Sequence, residues 1–203
     1  MSEDYSYEYD FDKFYCYPGS NVLKNKLNIK DRKLFIKAER GITSLRTTQA
    51  LITPIKGKFD INHLKSIHKF LFGDIYTWAG QIRTVNISKG NLFCQTMYIE
   101  QELTRVFNEL KAEGYVKNVR DKGLLAGRLS YYLSEINAVH PFREGNGRTQ
   151  RLFVTYLARS NNWDLQFANI SPEEMIDASY NSFLGDYSQM DSLIASCLVP
   201  FVR

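Results

Sequence analysis

The chain has 203 residues, 44% of them hydrophobic and 14% aromatic, with 12 Gly and 5 Pro. That composition excludes disordered, collagen-like and coiled-coil chains and supplies one domain with a core, or at most two small ones. The 26 basic and 22 acidic residues leave a net charge of +4, too mild for a general nucleic-acid binder.

In chain order, the stretch Met1–Tyr9 is acidic and rich in tyrosine, the reverse of a signal peptide. Tyr5, Tyr7 and Tyr9 alternate there, a pattern open to a docking strand, a tail or self-modification sites. Residues 1–20 read as an irregular arm closed by the turn signal Tyr17-Pro18-Gly19-Ser20, with a single domain over 21–203. Asp31 is placed to cap a helix through Leu34, Phe35 and Ala38, and Asp60 to cap a second with Leu64, Ile67, His68 and Leu71 at helical spacing. Ile82, Val85 and Ile87 precede Ser88-Lys89-Gly90-Asn91, and Leu92-Phe93-Cys94 follows, which predicts a hairpin. Helices resume over Tyr98–Ala112, over the strongly apolar Leu124–Ala138, and over Gly147–Arg159. Ser171-Pro172-Glu173-Glu174 predicts a further helix start with a capping box. The expected architecture is mainly α, a helical bundle with one small β-hairpin.

Cys16, Cys94 and Cys197 are odd in number and widely spaced, which suits reduced thiols in a cytoplasmic protein better than a disulfide or zinc framework. The longest apolar run, Leu193–Val202, is too short for a membrane span and is broken by Ser196 and Pro200. Charge is uneven. From Asn161 onward six acids face one base, a net −5, which leaves +9 on the first 160 residues. A basic body suits an anionic ligand such as a nucleotide or RNA without choosing between them.

The chemistry is written in the segment between the two late helices, His140-Pro141-Phe142-Arg143-Glu144-Gly145-Asn146-Gly147-Arg148-Thr149-Gln150-Arg151. Gly145 and Gly147 allow backbone amides to approach a ligand where a helix begins, a geometry that favours phosphate. Arg148 and Arg151, three apart, share a helical face and can clamp further anionic oxygens. Glu144 beside an anion site makes sense if Mg²⁺ bridges it to phosphates, and His140 can take a proton near neutral pH. Base, acid, anion loop and two arginines describe phosphoryl or nucleotidyl transfer. Dinucleotide, P-loop and kinase signatures do not fit this segment.

The segment resembles the signature of the Fic family, His-x-Phe-x-(Asp/Glu)-Gly-Asn-Gly-Arg-x-x-Arg, at every defined position. Residues 17–26, Trp78–Arg83 and Ile87–Gly90 are also similar to Fic domains of bacterial toxins and secreted effectors, so the resemblance covers roughly residues 15–195. It implies an all-α Fic fold that transfers AMP from ATP to a Tyr, Thr or Ser hydroxyl of a target protein, with pyrophosphate leaving. It further implies His140 as base, Glu144 as Mg²⁺ ligand, and Gly145, Asn146 and Gly147 as the anion hole. Arg148 and Arg151 would hold the phosphate tail. The hairpin would be a flap that docks the target by strand-like pairing, with Lys89, Gly90 and Asn91 contacting target or nucleotide. Tyr180 and Asn181 fall where such domains build part of the adenine pocket, a position equally open to ordinary packing.

Self-inhibited relatives carry (Ser/Thr)-x-x-x-Glu-(Gly/Asn). Here Glu113-Gly114 and Glu144-Gly145 end correctly, but Glu109 and His140 stand four residues before them, so neither matches. The resemblance therefore suggests a separate small antitoxin that supplies the inhibitory helix. It adds no membrane or nucleic-acid partner, and as part of an effector the chain would act inside a host cell. Transfer of UMP, a phosphoryl group or phosphocholine, and a catalytically silent module that binds nucleotide or partner, are the alternatives. Of the remaining residues, Phe142 is expected as an apolar anchor and Arg143 as a solvated charge. His63 and His68 are expected as structural or surface residues.

Overall fold

The computed structural model describes residues 12–89, 91–117 and 119–201. Tyr5, Tyr7, Tyr9 and Gly90 lie outside them. The described chain forms α1 (Arg32–Ile52), α2 (Ile61–Phe72), β1 (Ser88–Lys89), β2 (Asn91–Leu92), α3 (Ile99–Ala112), α4 (Lys122–Val139), α5 (Asn146–Arg159), β3 (Trp163–Leu165), α6 (Pro172–Phe183), α7 (Ser188–Cys197) and β4 (Leu198–Pro200).

Local chemistry starts most of these helices. Asp31, Asp60 and Asp121 cap α1, α2 and α4 by accepting from the amides of Leu34, His63 and Leu124. Ser171 and Glu174 form a reciprocal capping box ahead of Pro172 in α6. The tertiary core is organised around α4. Leu125, Leu129, Tyr132, Leu133 and Ile136 bury most of its circumference, and it packs on α3, α5, α6 and α7. α5 lies between α4 and α2, so the loop joining α4 to α5 has the Phe72 and Phe142 rings of the core beneath it.

The hairpin is shorter than the sequence suggests, with only Ser88 opposite Leu92 and Lys89 opposite Asn91. A second antiparallel ladder, absent from the sequence reading, pairs Trp163, Asp164 and Leu165 with Pro200, Val199 and Leu198. Tyr15, Cys16, Val22 and Leu23, within and just beyond the stretch read as an arm, are buried in the same core. Cys16, Cys94 and Cys197 are free thiols. Among the described residues no helix is long and apolar enough to cross a membrane.

Candidate active site

His140 ends α4 in the left-handed conformation, φ 49° and ψ 61°, while its amide still donates to Ile136 O at 3.0 Å. For a residue with a Cβ this conformation costs about 1 kcal/mol or more. The turn swings the imidazole off the helix axis. Its Nδ1 lies 3.2 Å from Asn137 O, and because a carbonyl only accepts, Nδ1 carries the proton and Nε2 the lone pair. One face of the ring stacks on Phe93, just past β2, with centroids 3.8 Å apart.

Arg83 joins the hairpin to this turn. Its buried guanidinium donates to His140 O at 2.8 Å, Val139 O at 3.3 Å and Val85 O at 2.7 Å, and also to Cys94 O. Two of these carbonyls end α4 and two flank the flap, so one side chain fixes both.

The loop that follows is closed from within. Asn146 Oδ1 accepts from Phe142 N at 2.8 Å, and its Nδ2 donates to Phe142 O at 2.7 Å. With its side chain spent on that clasp, Asn146 has a main-chain N–H to offer a ligand. Phe142 is fully buried, as its expected anchoring role requires, and stacks on His68 at 3.9 Å. His68 accepts from Gly80 N at Nδ1 (2.8 Å) and donates from Nε2 to Glu144 O (2.9 Å). Burial pushes its pKa down to about 3, so it stays neutral. Gly145, at φ +81°, cannot be replaced without strain, since a Cβ there would sit 2.2 Å from Phe72 Cζ.

Arg143 departs from its expected solvated state. It is 2% exposed and pairs with Asp12 at 3.1 Å, the Asp12 side chain being 5% exposed. Its guanidinium also lies over the Tyr15 ring and 3.7 Å from Cys16 Sγ. The sequence places it in a polar loop, but the stretch around Asp12–Cys16 folds over that loop and removes it from water.

Glu144, Arg148 and Arg151 stay partly open to solvent. Glu144 Oε1 accepts from Gly145 N at 2.8 Å and lies 3.5 Å from Arg148 Nη2. Burial, then the negative charge of Glu39, push its pKa upward. The first intrahelical bond of α5 runs from Thr149 N to Gly145 O at 3.1 Å, so the amides of Asn146, Gly147 and Arg148 precede it and form an electropositive helix start. Arg151 folds back over that turn, since a Cβ on Gly147 would lie 3.2 Å from Arg151 Nη1. Its pKa is lowered by burial and by the like charge of Arg148, and no carboxylate pairs with it among the described residues. Two neighbouring cations at a helix N-terminus form a site for a polyanion.

Arg148 has partners the sequence did not reveal: Glu39 at 2.5 Å and Thr43 at 2.9 Å, both on α1. The buried stripe of α1 is Phe35, Glu39, Thr43 and Ala50, so two polar residues sit at core spacing. The expected site residues do not all converge. Lys89 and Asn91 pair through their backbones in the flap. Tyr180 is 53% exposed on α6, and Asn181 donates to Gln189 of α7 at 2.7 Å; neither makes a hydrogen bond or ring contact with the 140–151 loop. Phe93, Arg83 and His68 belong to the site and were not singled out as functional from the sequence.

The sequence model of the Fic/DOC family matches residues 58–158. The "Probable protein adenylyltransferase y4lH" of Sinorhizobium fredii (strain NBRC 101917 / NGR234) is 40% identical over 176 residues, which cover 86% of this chain and 90% of that protein. "Protein adenylyltransferase VbhT" of Bartonella schoenbuchensis is 38% identical over 188 residues, 92% of this chain but 39% of VbhT. Among solved structures, the N-terminal Fic domain of a Bartonella quintana effector, with bound ADP, superposes with a TM-score of 0.87 at 27% identity, covering 92% of this chain and 95% of that one. BepC of Bartonella tribocorum, with bound AMPPNP, shares the fold at a TM-score of 0.88 and 23% identity, over 93% of this chain and 97% of its own.

Proposed function

The chain belongs to the Fic/DOC family, and from that membership we propose that it is a protein adenylyltransferase, moving AMP from ATP to a hydroxyl of a target protein. The observation that carries the reading is His140. Its Nδ1 proton is committed to Asn137 O, which gives Nε2 the lone pair beside an electropositive helix start.

In the reaction, Nε2 takes the proton of a target Tyr, Thr or Ser hydroxyl as its oxygen attacks the α-phosphorus. A P–O bond to the target forms, the bond from the α-phosphorus to the bridging oxygen breaks, and pyrophosphate leaves. The amides of residues 146–148, with Arg148 and Arg151, meet the charge on the phosphate chain. The left-handed turn at His140 and the Phe93 stack hold the imidazole in one orientation, so little rotational freedom is lost on reaction. The flap positions the target backbone.

Glu144 is the carboxylate that would hold magnesium. One carboxylate completed by phosphate oxygens and water suits that ion's reluctance to shed its hydration shell. When bound, the ion would neutralise phosphate charge; Glu144, oriented by Gly145 N–H, would hold it. That no carboxylate pairs with Arg151 among the described residues supports the expectation of a separate inhibitory protein that supplies one.

The test is labelling of a cell lysate with purified protein, Mg²⁺ and ATP carrying label on either the α- or the γ-phosphate, beside His140→Ala. Label from the α-phosphate alone, lost in the variant, is expected. Label from the γ-phosphate would make the protein a phosphotransferase, and label that survives in H140A would remove His140 as base.

A further inference from the structure

Arg148 stands between two carboxylates, and the one it bonds more closely is not the one in the signature segment. Its Nη2 lies 2.5 Å from Glu39 Oε1 but 3.5 Å from Glu144 Oε1. Nη1 donates to Thr43 Oγ1 at 2.9 Å. The Thr43 hydroxyl gives its own proton to Glu39 O at 2.8 Å, leaving its oxygen to accept. Glu39 is held in turn, since the Tyr76 hydroxyl donates to its Oε2 at 2.9 Å. Beneath the guanidinium lies the Phe72 ring, 4.7 Å from the charge centre. Glu39 is 8% exposed, and burying a carboxylate is costly unless it does so beside a partner.

We propose that Glu39 is a positioning residue that draws Arg148 away from Glu144, leaving their bridge long at 3.5 Å beside the 2.5 Å pair with Glu39, so that Glu144 remains available to a divalent cation and Arg148 to phosphate. The proposal rests on the nucleotide reading given above. Glu144 stands just ahead of Gly145, the N-cap of α5, with Arg148 in the first turn and already within 3.5 Å of it; a closer pair would withdraw the carboxylate from a metal. Glu39 and Thr43, one turn apart on α1, offer Arg148 a better-matched alternative and draw it to the α1 side of the site. Helix α1 thus enters the machinery through another residue rather than by touching substrate.

The experiment compares nucleotide affinity with and without metal in the whole protein. Binding of AMPPNP is measured by calorimetry with Mg²⁺ and with EDTA, and Mn²⁺ binding in the presence of AMPPNP by electron paramagnetic resonance. Wild type is expected to bind more tightly with Mg²⁺. In Glu39→Gln, which keeps the shape and an acceptor for Tyr76, the Mg²⁺-to-EDTA affinity ratio and the Mn²⁺ affinity are each expected to fall roughly tenfold, the scale of one charge interaction in a partly buried site. EDTA binding holds or improves, because a negative charge has gone. A merely structural role would instead weaken both conditions together. Thr43→Val, which loosens Arg148 without removing a charge, is expected to move the ratio in the same direction by a smaller factor and stands in if E39Q unfolds. An unchanged ratio in a folded E39Q or T43V overturns the role of Glu39 alone. A wild type that binds no AMPPNP overturns the nucleotide reading and this proposal with it.

Discussion

Single residues decide whether the signature loop holds its shape. Gly145 combines a positive φ with a Cβ position already filled by Phe72. Gly145→Ala is expected to destabilise the protein by more than about 2 kcal/mol through strain and overpacking together. Adding Phe72→Leu should recover the packing part but not the backbone part, which denaturant melts of the two variants would separate. Arg143 makes a different case. Removing it by Arg143→Met leaves Asp12 buried with two backbone amides, from Phe14 and Tyr15, as its remaining donors. A loss of about 3 kcal/mol is expected, or on the order of 10 °C in melting temperature. A change under 2 °C would mean that water reaches Asp12. The legibility of these residues differs for a physical reason. Gly145 sits in a motif whose letters are contiguous, whereas Arg143 owes its burial to a partner 131 residues away, and no local pattern encodes a contact of that separation.

At the scale of elements, the hairpin and α4 are one mechanical unit. Arg83 bonds carbonyls of both, its own amide donates to Pro141 O at 2.9 Å, and Cys94 N donates to Ala138 O at 3.3 Å. Target docking on the flap and orientation of His140 therefore share a support. Phe93→Ala, which removes the ring stacked on His140, is expected to lower target labelling by a factor of ten or more while AMPPNP affinity stays within twofold, since no phosphate-binding group is touched. Equal losses in both would show that Phe93 supports the loop as a whole. Helix starts were the most legible elements, because Asp31, Asp60 and Ser171 each act on an amide three residues away. The β3–β4 ladder was not legible, since each strand is three residues long and its partner lies beyond α6 and α7. Glu39 and Thr43 share the stripe of Phe35 on α1, but their partner Arg148 lies 105 or more residues along the chain, so the contact itself was not legible.

Over the whole molecule, two buried histidines make stability depend on pH. Burial holds His68 at about 3 and His63 below its ordinary value, while the unfolded chain protonates both near 6.5. Below that value the unfolded state binds more protons than the folded one, so stability is intact above about pH 7.5 and falls as the pH is lowered. For His68 alone the loss at pH 5 is about 2 kcal/mol. Unfolding by guanidinium at pH 7.5 and pH 5 should show this drop, reduced in His68→Asn; an equal drop in the variant would assign it to other groups. The bonding explains the sign. Each ring uses Nε2 toward a backbone oxygen, Glu144 O or Ile55 O, and Nδ1 to accept an amide, so a second ring proton would face a donor.

The rings beneath the loop form a continuous pile: Phe142 on His68, His68 on Phe72, Phe72 on Tyr76, and Tyr76 on Trp78 at 4.2 Å. The chain has two tryptophans, and the second, Trp163, lies on β3 under Lys122. Trp163→Phe would leave one indole at the foot of that pile, in contact through four rings with the residue that closes the signature loop. The protein therefore carries a built-in optical reporter, whose emission can follow loop opening, ligand arrival or partner docking without an added dye.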